Sequence, residues 1–94
     1  MKYVVFWEYC PDDTEKLIEK TMRQSELAEK EPEKWGKTLF PPHYYGWCKG
    51  LSIVEAEQEH LTRSIAFWFP ELKMVYKPLV ANSDLIKNYL ELKK

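Results

Sequence analysis

His43 follows Pro41-Pro42 and is spaced at every second position with Tyr45 and Trp47. The tandem proline restricts the backbone ahead of the imidazole. Alternation along an extended chain would put all three side chains on one face. A histidine held that way can act as an acid, a base or a ligand contact near neutral pH. The same residue also reads as a strand-edge or interface histidine with an ordinary hydrogen bond. Glu8 and Glu55 form a second set, each a carboxylate in an otherwise apolar stretch. Facing inward from adjacent strands, each would raise the other's pKa, and the two could serve as general acid and base. Lying at strand ends, they are simply solvated, and the pairing register decides.

Trp68 and Phe69, with Trp7, Tyr45 and Trp47, could line an aromatic pocket for a planar ligand. Core packing and subunit contact use the same residue types. Cys10 precedes a helix start, which can activate a thiol, but Asp12 and Asp13 oppose this, so a structural thiol is expected. Cys10, His43, Cys48 and His60 match no metal-ligand spacing, and His60 falls on a solvated helix start. No metal or cofactor is expected.

The elements that must position these residues follow from the apolar pattern. Lys2 to Tyr9 is apolar on both its odd and even positions, as in a strand buried on two faces. Asp12 with Glu15 predicts a capping box for a helix over 13–30, with Leu17, Ile18, Met22 and Ala28 as its stripe. Pro32 ends it. The extended Leu39–Trp47 segment contains Pro41-Pro42 and must therefore lie at a sheet edge. Lys49-Gly50 predicts the turn into a strand over 51–56. A helix over 57–69 carries Leu61, Ile65 and Trp68, and Pro70 stops it. The strand over 72–80 contains Pro78, again an edge signal. Asn82 or Ser83 caps a last helix with Leu85, Ile86, Tyr89 and Leu90 on one face.

The order is β-α-β-β-α-β-α, the split βαβ plan with one added helix. It predicts an α+β fold: a four-stranded antiparallel sheet with two helices on one face. One helical layer covers only one sheet face, so something else must cover the other.

The 94 residues form a single domain, 1–94, with a radius of about 12 Å if compact. A hydrophobic fraction of 45% suffices for a core, and association is a common way for so short a chain to enlarge it. Fourteen basic and fifteen acidic residues are scattered to a net charge of −1, which excludes a nucleic-acid footprint. The longest apolar runs are five residues, against about 20 for a membrane-spanning helix. The start Met1-Lys2-Tyr3 enters strand pattern directly, so a cytoplasmic protein with unbridged Cys10 and Cys48 is expected.

The segments Lys2–Tyr9, Phe40-Pro-Pro-His43, Cys48–Ala56 and Tyr76–Val80 carry a resemblance to the dimeric α/β-barrel superfamily, over nearly the whole chain. Within it, the chain is most similar to a small prokaryotic family of unassigned function. The resemblance implies a ferredoxin-like fold and a homodimer in which two sheets pack face to face. The superfamily contains cofactor-independent monooxygenases, isomerases, haem-degrading enzymes and ligand-sensing domains, so fold alone does not transfer an activity. The haem-degrading branch uses an Asn on the first strand, a Trp and a His. Here no Asn lies in the first strand and no His follows His60, which disfavours that branch.

The reading is a small homodimer that binds a planar small molecule or is purely structural. The alternative is a cofactor-independent monooxygenase- or isomerase-like enzyme acting on an aromatic or polyketide-like substrate. The expected pocket residues are His43, Tyr45, Trp47 and Trp68, with Glu8 as the acid.

Overall fold

The computed structural model describes residues 1–93. Its elements are β1 (Lys2–Tyr9), α1 (Thr14–Lys30), β2 (Lys37–Gly46), β3 (Lys49–Glu55), α2 (Gln58–Trp68), β4 (Leu72–Pro78) and α3 (Asn82–Lys93). Short 3-10 turns, Pro11–Asp13 and Pro32–Lys34, flank α1. The strands form one antiparallel sheet in the order β2-β3-β1-β4. Both proline-bearing strands, β2 and β4, are edges, where a missing N–H costs no ladder bond. β2 is irregular around Pro41-Pro42, with register shifts between Thr38 and Phe40 and between Phe40 and His43.

The register assigns the two faces. One cross-strand row is Tyr44, Gly50, Trp7 and Met74; the next is His43, Leu51, Phe6 and Val75. The first row, with Val5, Ser52 and Tyr76, faces α1 and α2. The second, with Val4 and Ile53, lies on a face that none of the described elements covers. The core on the helix side is small: Val5, Trp7, Leu17, Cys48 and Ala56 are its buried apolar residues.

Three local expectations are corrected. The β2–β3 turn is Trp47-Cys48, closed by the Gly46–Lys49 pair, and not Lys49-Gly50. Cys48 takes the left-handed conformation there (φ 58°). Gly50 lies in β3 for a different reason: a Cβ on it would collide with the Trp7 indole and the His43 carbonyl.

At the start of α1, Asp12 sits inside the 3-10 turn and no side-chain cap bond forms. Thr14 Oγ1 donates to the Pro11 carbonyl at 2.6 Å instead. The inward stripe of α1 is Leu17, Thr21 and Gln24, with Ile18 and Met22 turned to solvent. That helical phase is the one that lets Lys20 reach α2. Lys20 Nζ donates to the carbonyls of Phe67 and Phe69, both at 3.0 Å, and to Glu71 at 2.6 Å.

The third concerns the start of α2. His60 is not a solvated residue there. It accepts from the Glu57 N–H through Nδ1 (3.0 Å) and donates from Nε2 to the Glu33 carbonyl (2.9 Å). With Arg63, which donates to the Lys34 carbonyl, it fastens the α1–β2 connection onto α2. Trp35 is thereby set edge-to-face on Phe67, with ring centres 5.6 Å apart.

The radius of gyration is 15.9 Å and the molecule is 56 Å long. Leu85, Ile86, Tyr89 and Leu90 of α3 are all half or more exposed, as the predicted stripe of an unpartnered helix. Among the described residues no helix is long and apolar enough to cross a membrane.

Candidate functional site

The sheet and the two helices do not close on each other. Between them lies a cavity of about 360 Å³, within the size range of small-molecule sites, about 300–1,000 Å³. Its floor is the sheet's helix face: Val5, Trp7 and Tyr9, with Tyr44, Ser52, Val54, Met74 and Tyr76 from the other strands. Its roof is Leu17, Thr21 and Gln24 of α1 and His60, Leu61, Ser64 and Trp68 of α2, with Trp35 closing one side. The space is lined by small or short side chains at Ser52, Ala56, Ser64 and Thr21. Sealed and dry, such a volume would cost on the order of 8 kcal/mol, most of a small domain's stability. The hydroxyls and amide on its wall allow water or a ligand to occupy it.

Aromatic packing shapes the floor. The Trp7 and Tyr44 rings meet edge to face at 4.9 Å, and Trp7 and Tyr9 lie nearly parallel at 6.4 Å. The Tyr9 and Tyr44 hydroxyls hydrogen-bond at 2.7 Å. That bond, desolvation and the nearby Cys48 thiol push the Tyr9 hydroxyl well above the ordinary tyrosine range, so it keeps its proton. Burial also raises Tyr76, partly offset by Ser64. Among the described residues that line the cavity there is no Lys, Arg, Asp or Glu.

The five residues expected to share a pocket are divided among three places. Trp68 lines the cavity. Trp47 is in the hairpin turn and 81% exposed, because the turn falls two residues before the expected Lys49-Gly50. His43, Tyr45 and Glu8 are on the uncovered sheet face. There His43 Nδ1 donates to the Pro41 carbonyl at 2.6 Å, and its ring stacks on Phe40 at 4.5 Å. Tyr45 meets Phe6 edge-to-face at 6.4 Å. Glu8 lies between Lys49 (3.9 Å) and Lys73 (3.8 Å), and shares a shallow hollow of about 120 Å³ with Tyr45, Phe6 and Val75.

The Glu8–Glu55 pair does not form. Glu8 is opposite Lys49 and Glu55 opposite Lys2, so the carboxylates sit at opposite ends of the β1–β3 ladder, about 20 Å apart along it. Of the other aromatics, Trp7 lines the cavity and Phe69 is 71% exposed.

Sequence reasoning missed Tyr9, Tyr44, Ser52, His60, Ser64 and Tyr76. Ser52 had a readable signal, a lone hydroxyl in the apolar run Leu51–Val54, in phase with Gly50. Both cysteines are free, Cys10 exposed and Cys48 buried. Among the described residues no group of three or more His, Cys, Asp or Glu side chains could hold a metal ion. No family model, no curated protein and no solved structure matches the chain.

Proposed function

We propose that this protein is a homodimeric small-molecule-binding protein whose ligand occupies the cavity between the sheet and α1/α2. The observation that carries the reading is the cavity itself: about 360 Å³, aromatic-walled and unfilled by the chain's own side chains. The strand order β2-β3-β1-β4 with both crossover helices on one side supports a ferredoxin-like classification. The uncovered apolar face, with Val4, Phe6, Leu51, Ile53 and Val75, supports face-to-face pairing of two sheets as a dimeric α/β barrel. The unbridged cysteines fit a cytoplasmic setting.

Binding is favoured over the monooxygenase- or isomerase-like alternative by the position of the titratable groups. His43 and Glu8 point away from the cavity, and both ring nitrogens of His60 are engaged by backbone groups. The test is a thermal-denaturation screen with planar aromatic ligands on the wild type, His43→Ala and Ser64→Phe. Equal shifts are expected for the wild type and His43→Ala, with loss in Ser64→Phe, whose ring fills the cavity. No shift for any form in a broad screen would contradict the reading.

A further inference from the structure

The wall of the cavity says which ligands it accepts. Charged residues make up 31% of the chain, yet none is among the described residues that line this space. The lining is aromatic and aliphatic, broken by the neutral groups of Thr21, Gln24, Thr38, Ser52 and Ser64. The imidazole of His60 offers no free nitrogen, since it already accepts from the Glu57 N–H and donates to the Glu33 carbonyl. A buried carboxylate or ammonium would find no countercharge there, and burying an unpaired charge is expensive.

The Tyr9–Tyr44 pair adds a direction. Two hydroxyls share one 2.7 Å bond, so one proton is donated within the pair and the other is left for a third atom. Both residues line the cavity at its solvent-exposed edge, and that remaining proton suits a ligand oxygen that accepts a hydrogen bond.

We propose that the cavity selects an uncharged, flat aromatic molecule bearing a hydroxyl or carbonyl oxygen, with that oxygen on the Tyr9–Tyr44 hydroxyl pair. This rests on the cavity being a ligand site. The ring is held by the walls around Trp7 and Trp68, and the anchor is at the β1–β2 end. Acids and amines of the same shape meet no opposite charge on the lining and are rejected on that ground rather than by size.

The experiment is a calorimetric titration at neutral pH with four probes on one ring: 2-naphthol, naphthalene, 2-naphthoate and 2-naphthylmethylammonium. The wild type is expected to bind 2-naphthol at least about tenfold more tightly than either ion. Replacing both hydroxyls, Tyr9→Phe with Tyr44→Phe, is expected to lower the preference for 2-naphthol over naphthalene by about threefold to tenfold, the worth of one hydrogen bond. Thr21→Lys, on the roof, is expected to bring 2-naphthoate binding up to that of 2-naphthol.

Equal or tighter binding of either ion by the wild type overturns the charge selection while leaving a ligand site in place. An unchanged preference in the variant lacking both hydroxyls overturns the anchor, and no gain of 2-naphthoate in Thr21→Lys overturns the charge argument. Failure of all four probes to bind overturns both this proposal and the reading beneath it.

Discussion

Trp7 and Tyr44 belong to strands that are not neighbours, yet their rings touch edge to face at 4.9 Å across β3. The residue between them is Gly50, paired with both. Without a side chain it leaves the notch through which the two rings meet, and this contact forms the floor of the cavity.

Gly50→Ala fills that notch. The new methyl collides with the Trp7 indole and the backbone of β2, neither of which moves freely. We expect a loss of about 1–3 kcal/mol in denaturant unfolding, the usual range for overpacking, and a changed tryptophan emission. Unchanged stability and emission would show that Trp7 does not lie over Gly50.

The Tyr9 hydroxyl predicts an alkaline dependence. Its folded proton affinity is raised above the ordinary value of 10.0, first by Tyr44. The unfolded chain therefore gives up this proton before the folded one does. Stability from this group is complete below pH 10 and falls as pH rises above it. Tyr44→Phe removes the leading cause, so its alkaline loss should be shallower and Tyr9 should titrate closer to 10.0 by ultraviolet absorbance. Identical alkaline profiles for the two proteins would contradict the pairing.

The Lys20 latch predicts an acid dependence of opposite sense. Its hydrogen bond holds the Glu71 carboxyl below the ordinary value of 4.5. The contribution is present above pH 4.5 and disappears as pH falls through the lower folded value. Lys20→Met should lower the unfolding midpoint at neutral pH, because two carbonyls and Glu71 lose their donor. The gap between the variant and the wild type should narrow in acid. A gap that stays constant with pH would rule out the ion pair as its source.

The uncovered sheet face predicts association. Leu51 sits in its central row beside Phe6, on a surface with no cover from the described elements. Sedimentation should find a dimer at micromolar concentration, and Leu51→Lys should yield a folded monomer. A wild-type monomer at that concentration, or a Leu51→Lys dimer, would exclude pairing through this face.

Much of the architecture could be read from local chemistry. Pro41-Pro42 and Pro78 marked the edge strands because a proline cannot donate to a ladder. The apolar run Tyr3–Trp7 marked a strand, which β1 is, and Pro32 and Pro70 bounded the helices. The site was less legible, because a single residue of register moves every side chain to the other face. Two glycines flank the hairpin, and turn chemistry points to Gly50, whereas the turn runs through Trp47-Cys48. Gly50 answers instead to a contact with Trp7, far away in sequence. That one shift separated Trp47 from His43 and Tyr45. The phase of α1 was equally hidden, since the reach of Lys20 to Phe67, Phe69 and Glu71 sets it rather than the apolar stripe.

Amide chemical-shift mapping with 2-naphthol decides whether the ligand site lies between the sheet and the helices. Perturbations are expected at Ser52, Val54, Ser64 and Tyr76, with His43, Tyr45 and Lys73 unchanged. Perturbations confined to His43, Tyr45 and Lys73, or none at saturating ligand, would contradict it.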